Sequence, residues 1–177
     1  MRFAETPLTG AFVVEIEPHA DERGVFARTF DEAAFAERGL VARFPEHSTS
    51  FNARAGVTRG MHYAAAPHEE VKLVRCTRGA VHDVLVDLRP DSPTFRAWHA
   101  EELTAENRRA LYVPRGLAHG FQALEDGSEV LYLIDSPYEA SAARGVRWDD
   151  PAFGIDWPVA PERILSERDR TWPDFAA

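Results

Sequence analysis

Val71-Lys72-Leu73-Val74-Arg75-Cys76-Thr77-Arg78-Gly79-Ala80-Val81-His82-Asp83-Val84-Leu85-Val86-Asp87-Leu88 is the stretch whose residues decide the fold. Its apolar, β-branched runs are the signal of strands, and they predict one strand over Val71 to Thr77 and another over Ala80 to Leu88. Outward from it, short apolar or alternating runs recur between Gly, Pro, Asp and Asn: Ala11 to Glu17, Val25 to Thr29, Thr58 to Tyr63, Trp98 to Leu103, Ala110 to Val113, Gly120 to Ala123 and Glu129 to Ser136. Short, regular spacing with little sustained helical pattern predicts an all-β sandwich or barrel. Asp31 to Arg38 reads as a short helix, since Asp31 can cap it and Gly39 can close it. Thr104 to Asn107 reads as a helical turn or loop. The tail from Val146 carries Trp148, Trp157 and Trp172 among Pro and Asp residues; it is too aromatic for a disordered linker and is expected to pack against the barrel.

A chain of 177 residues suits one domain, 1–177, with a single substantial core. Hydrophobic residues make up 45% and charged residues 28%, and no apolar run approaches membrane-spanning length, which is the composition of a soluble globular protein. Met1 to Pro7 lacks the basic and long apolar segments of a signal peptide, so the expected location is cytoplasmic. The single cysteine, Cys76, leaves no intramolecular disulfide and reads as a small core residue. A formal net charge of −9 argues against general affinity for nucleic acid or anionic membranes. Arg23, Arg59, Lys72, Arg75, His62 and His119 can still build a locally positive pocket for an anionic small molecule.

Strand alternation sorts the candidates by face. Lys72 shares its face with Val74 and Cys76, and a lysine on an apolar face needs a partner. Tyr132 lines up with Val130 and Ile134. His62 shares its face with Thr58 and Gly60, whereas Arg59 turns the other way, so only a bulge or strand end brings Arg59 and His62 into one site. Pro114 to His119 reads either as a tight loop between strands or as part of that site.

Several segments in order resemble the dTDP-4-dehydrorhamnose 3,5-epimerases and their relatives in deoxysugar biosynthesis: Asp21 to Phe26, Thr58-Arg59-Gly60-Met61-His62-Tyr63, Lys72 to Gly79, Asp83 to Arg89, Ser92 to Phe95, Pro114 to Phe121, Arg144 to Pro151 and Leu165-Ser166-Glu167-Arg168-Asp169. Each segment is weak, but the ordered set spans nearly the whole chain. The resemblance implies a cupin-type jelly roll that works without a metal or other cofactor on a nucleotide-linked 4-keto-6-deoxyhexose. It implies His62 as base, Asp169 as the carboxylate that orients it, Tyr132 as acid on the opposite face of the sugar, and Lys72 beside the reacting carbonyl. It further implies Arg23 and Arg59 on the diphosphate, His119 in the sugar pocket, and Tyr138 or Phe26 stacked on the base. The segment carrying Arg23 and Phe26 tends, in that family, to reach into the partner subunit's site, which implies a homodimer.

Two places depart from the family pattern: Pro45-Glu46-His47 replaces a polar triplet, and Ala64 stands where many relatives have Gln. Both bear on which nucleotide and sugar are bound. Three other functions compete. A metal-dependent cupin would use His62, His68, Glu70 and His119 as ligands, although the close His-Xaa-His pair of such proteins is absent. A keto-sugar isomerase and a non-catalytic sugar-binding cupin are the others, the last having no need of a base and an acid.

Overall fold

The computed structural model describes residues 1–176. Among them thirteen strands form: β1 Arg2–Glu5, β2 Phe12–Glu15, β3 His19–Asp21, β4 Gly24–Phe26, β5 Glu46–Asn52, β6 Thr58–Ala64, β7 Lys72–Arg78, β8 Ala80–Asp87, β9 Trp98–Thr104, β10 Ala110–Val113, β11 Leu117–Ala123, β12 Ser128–Ile134 and β13 Ala143–Gly145. Helical structure is confined to α1 Glu32–Glu37, a 3-10 turn at Ala140–Ala142 and α2 Glu167–Arg170. A six-stranded sheet, β1-β2-β10-β7-β12-β5, packs against a five-stranded sheet, β13-β6-β11-β8-β9, and β3 and β4 form a separate hairpin. Neighbouring strands in both sheets are antiparallel. This is the all-β sandwich that the spacing of apolar runs predicts, in the jelly-roll form that the resemblance implies.

The stretch from Val71 to Leu88 spans both layers. β7 lies inside the six-stranded sheet and β8 inside the five-stranded one, so each is covered on both faces and reads as an almost continuous apolar run. The chain crosses between the sheets at Gly79, whose φ of +69° and close approach to Ser128 (a Cβ would lie 2.6 Å from its Oγ) leave no room for a side chain. Between the sheets Val13, Val74, Cys76, Leu111 and Val130 meet Val81, Leu85, Leu103 and Phe121. On the far side of the six-stranded sheet, Phe35 of α1 is fully buried against Val14, Leu73 and Tyr112. The far side of the five-stranded sheet is closed by the C-terminal tail, with Val146 and Phe153 on Met61, Val84 and Val86. Tail packing and the α1 cap, where Asp31 Oδ1 accepts the Ala34 N–H at 3.1 Å, agree with the sequence reading.

Four strands, β1, β3, β5 and β13, are not legible in the apolar pattern. β5, Glu46-His47-Ser48-Thr49-Ser50-Phe51-Asn52, is polar because it is an edge strand; it is held by a seven-residue ladder to β12. Pro114 to His119 is not simply a loop: the turn is confined to Pro114-Arg115-Gly116, and β11 begins at Leu117, so His119 is a strand residue. The expected strand from Val25 to Thr29 shrinks to Gly24–Phe26. Among the described residues no helix is long and apolar enough to cross a membrane.

Candidate active site

Cross-strand pairing between β6 and β11 joins His62 to His119 and then Arg59 to Phe121, so three steps along β6 match two along β11. The extra residue is a β-bulge, the irregularity needed to turn Arg59 to the side of His62. Both now line one cavity of about 830 Å³ between the two sheets. Gly60 sits within the bulge at φ +119°, where a Cβ would fall 2.5 Å from the Gly120 Cα.

His62 Nε2 lies 2.6 Å from Asp169 Oδ1. The carboxylate is delivered by α2, whose cap Ser166 accepts the Asp169 N–H at 3.1 Å, and the approach to α2 is pinned by a parallel bridge between Val57 and Ile164. Burial pushes the Asp169 carboxyl up, but hydrogen bonds from His62, from the Gly60 N–H and from the Trp172 indole outweigh it and hold the group below the usual range. Ionised Asp169 therefore accepts Nε2–H, which leaves Nδ1 of a neutral imidazole with the free lone pair. The Asp169 side chain is 5% exposed and that of His62 43%, so the imidazole meets the cavity while its carboxylate is shielded.

On the opposite sheet, β12 carries Tyr132 into the same cavity. Its hydroxyl is within 3.4 Å of Ser50 Oγ, and burial holds its ionisation well above the ordinary tyrosine value. His119 stands between the two sheets' groups: it is the cross-strand neighbour of His62, and its ring centroid lies 6.0 Å from that of Tyr132, edge to face. His119 Nε2 is held at 2.9 Å by both oxygens of the buried Asp83. Lys72 has the partner its buried stem requires, Glu70, at 3.2 Å from Nζ.

The cavity thus gathers His62, Asp169, Tyr132, Lys72, Arg59 and His119, with the 66% exposed Tyr138 also on its wall. Arg59 is steadied by Asn52 Oδ1, 2.9 Å from its Nε. Arg23 and Phe26 are elsewhere: they lie on the β3–β4 hairpin, Phe26 is 77% exposed, Arg23 pairs with Asp21, and neither lines this chain's own cavity. Arg75 is also misplaced by the sequence reading; alternation from Val74 turns it away from the cavity, to the far side of the six-stranded sheet. Arg144 and Arg168 stand in the cavity wall instead. Asp83 and Ser50 carry no role in the sequence reading, and Glu70, which it offers only as a metal ligand, is the ion-pair partner of Lys72. The signal for Asp83 was available, since a carboxylate alternating with Val81 and Leu85 needs a buried partner. Of the departures, Glu46 and Ala64 line the cavity, whereas His47 turns to the Phe44 carbonyl, 3.2 Å away.

The metal-site alternative finds no support in the donor set. No group of three or more His, Cys, Asp or Glu among the described residues is arranged to hold a metal ion.

A jelly roll with a His–carboxylate pair whose carboxylate is buried, a largely buried tyrosine and fixed cations around one cavity is a cupin-type fold equipped for acid–base chemistry. Comparison with known proteins narrows the class. The family model described as dTDP-4-dehydrorhamnose 3,5-epimerase matches residues 5–177, and the chain belongs to that family. It is 45% identical to the dTDP-4-dehydrorhamnose 3,5-epimerase of Methanothermobacter thermautotrophicus over 173 residues, 97% of this chain and 92% of the relative. The structure of the Bacillus anthracis enzyme of that name, with TDP and PPi bound, superposes with a TM-score of 0.94 at 38% identity, covering 98% of this chain and 99% of the other. A 3'-monoepimerase from Streptomyces bikiniensis in complex with dTDP-quinovose superposes with a TM-score of 0.89 at 34% identity, covering 96% and 85%.

Proposed function

We propose that this protein is an epimerase of a nucleotide-linked 4-keto-6-deoxyhexose, with dTDP as the nucleotide, and that it inverts carbon 3, carbon 5 or both in deoxysugar biosynthesis. The observation that carries the reading is the placement of the His62–Asp169 pair and protonated Tyr132 on opposite sheets of one cavity. Inversion at carbon needs a base on one face and an acid on the other. The C4 ketone makes hydrogens on its neighbouring carbons abstractable. Nδ1 of His62 takes one such proton, the C–H electron pair becomes the enolate C=C, and negative charge gathers on the C4 oxygen. Asp169 holds the tautomer and stabilises the imidazolium. Lys72, a fixed cation in the cavity wall, stabilises the enolate oxygen electrostatically. Tyr132 returns a proton to the opposite face, and the two side chains exchange their protons with water to reset. No electrons leave the substrate.

His119, tethered through Nε2 to Asp83, keeps Nδ1 for a sugar oxygen. Arg59 is a fork suited to the diphosphate, with Arg144 and Arg168 nearby, and Tyr138 is placed to stack on the base. We infer a cytoplasmic homodimer, in which Arg23 and Phe26 on the exposed hairpin serve the partner's cavity. The exposure of Phe26 and Val25 on a hairpin outside both main sheets supports this.

The test is hydrogen exchange in deuterated water with dTDP-4-keto-6-deoxyglucose, followed by NMR or mass spectrometry. Deuterium appearing at carbon 3, carbon 5 or both, and absent with His62→Ala, supports the reading and counts the centres. No exchange above the enzyme-free blank overturns it for this substrate.

A further inference from the structure

We propose that Trp172 is a positioning residue for the proton-transfer pair, its indole N–H fixing the Asp169 carboxylate and drawing charge from the oxygen that His62 uses; this rests on the reading of His62 and Asp169 as base and orienting carboxylate. Trp172 Nε1 lies 3.3 Å from Asp169 Oδ1, the same oxygen that faces His62 Nε2 at 2.6 Å. The other oxygen, Oδ2, accepts the Gly60 N–H at 3.4 Å and has no second donor among the described residues. The indole is therefore the donor that competes with the imidazole for one lone-pair region.

The space for the indole is built by a glycine. Gly145 of β13 is the cross-strand partner of His62, and a Cβ there would lie 2.3 Å from Trp172 Cε2 and 2.4 Å from Nε1. The missing side chain beside His62 is filled by a ring arriving from beyond α2, and the Arg168 guanidinium lies 4.8 Å from the centroid of that ring. A tryptophan used only as filler has no need to aim its one polar atom at the catalytic carboxylate.

The chemical consequence follows from charge sharing. A carboxylate oxygen that accepts a second hydrogen bond stabilises an adjacent imidazolium less than one that does not. The indole thus eases return of the proton from His62 once the sugar is deprotonated, and it stops the carboxylate from rotating away. The other charged or titratable groups lining the cavity around the pair are the cations Arg59 on β6, Lys72 on β7, Arg144 on β13 and Arg168 on α2, the carboxylates Glu46, Glu70 and Glu139, His119 on β11, and the tyrosines Tyr63, Tyr132 and Tyr138. Removal of a neutral indole changes none of their charges.

The experiment combines NMR of the indole N–H groups with a pH profile of kcat/KM. The chain has four tryptophans, and the indole resonance removed by Trp172→Phe should, in the wild type, titrate with the midpoint of the acid limb of the rate profile. Trp172→Phe keeps an aromatic ring and loses the donor, so the acid limb should move to higher pH by about half a unit or more. Lost packing alone would lower kcat/KM by one factor at every pH and leave the limb in place, and that result overturns the proposal. So does a wild-type protein in which no indole resonance follows the acid limb, a measurement that needs no variant to fold. Gly145→Ala, which pushes the ring aside, should reproduce the shift and add nothing to Trp172→Phe. If His62→Ala keeps its activity, the base assignment fails instead, and an indole resonance that moves in Asp169→Asn separates that failure from this one.

Discussion

Asp169 stands 107 residues beyond His62, and its Oδ1 comes within 2.6 Å of His62 Nε2. The proposed mechanism gives the two residues different jobs and therefore different mutant signatures. His62→Ala removes the base, and positioned acid–base catalysis is worth roughly 10²–10⁴-fold, so kcat should fall by that order while the nucleotide still binds. Asp169→Asn keeps the shape but can offer its amide N–H to Nε2, which would leave the proton on Nδ1, the wrong tautomer for a base. A large loss of kcat with KM nearly unchanged is the outcome to look for in steady-state kinetics. A variant within twofold of wild type would remove Asp169 from the mechanism.

In the proposed mechanism Tyr132 is the group that separates exchange from inversion. Burial keeps its hydroxyl protonated far above neutral pH, so it is an acid across the working range and not a second base. Tyr132→Phe should still let His62 wash deuterium into the substrate, while formation of the inverted product falls on the order of 10²-fold. Time courses that follow label and configuration in the same sample distinguish the two. Equal loss of both would place Tyr132 in binding instead of proton return.

The double layer of apolar strands, α1 and the packed tail were legible because they are one-dimensional patterns: alternation, a capping Asp31, a run of tryptophans. The site was legible only as residue types and as a resemblance. Arg59 and His62 look incompatible by strict alternation, and a single bulge at Gly60 reconciles them, a feature that leaves no mark beyond one glycine. β5 escaped notice because an edge strand carries its pattern in backbone hydrogen bonds. The Asp83–His119 pair joins residues 36 apart in sequence, and such pairings are set by sheet register, which residue spacing does not encode.

Asp87 ties acid stability to the connection between β8 and β9. Its fully buried carboxylate accepts from Arg89 Nε at 2.8 Å, Ser92 Oγ at 2.6 Å and Thr94 Oγ1 at 2.7 Å. Burial alone would raise its titration, but these donors pull it down to about 2. A value depressed on folding contributes stability above the unfolded carboxylate value, near ~4, and that contribution is lost as pH falls toward the folded one. Wild-type Tm should drop between about pH 4 and about 2 more steeply than that of Asp87→Asn. At neutral pH the variant should be less stable by about 1–3 kcal/mol, because buried donors lose a charged acceptor. Parallel Tm curves over that window would assign the acid sensitivity to other groups.

Arg23 and Phe26 lie outside their own chain's cavity, and the hairpin that bears them packs into neither main sheet. If each hairpin completes the partner's site, Arg23→Ala and His62→Ala damage the same site from two different chains. Each variant alone should be weak, Arg23→Ala mainly through KM because it removes a diphosphate contact. Mixing the two under conditions that exchange subunits should then restore activity. In a heterodimer one cavity carries both substitutions and the other carries neither, and random exchange makes half the dimers mixed, so recovery should approach about a quarter of wild type. Within a single chain the same residues could not complement each other, and mixing would give only the average of two impaired enzymes. Recovery above that average therefore requires an active dimer with shared sites, while its absence after demonstrated subunit exchange would return Arg23 and Phe26 to the surface of a self-sufficient protomer.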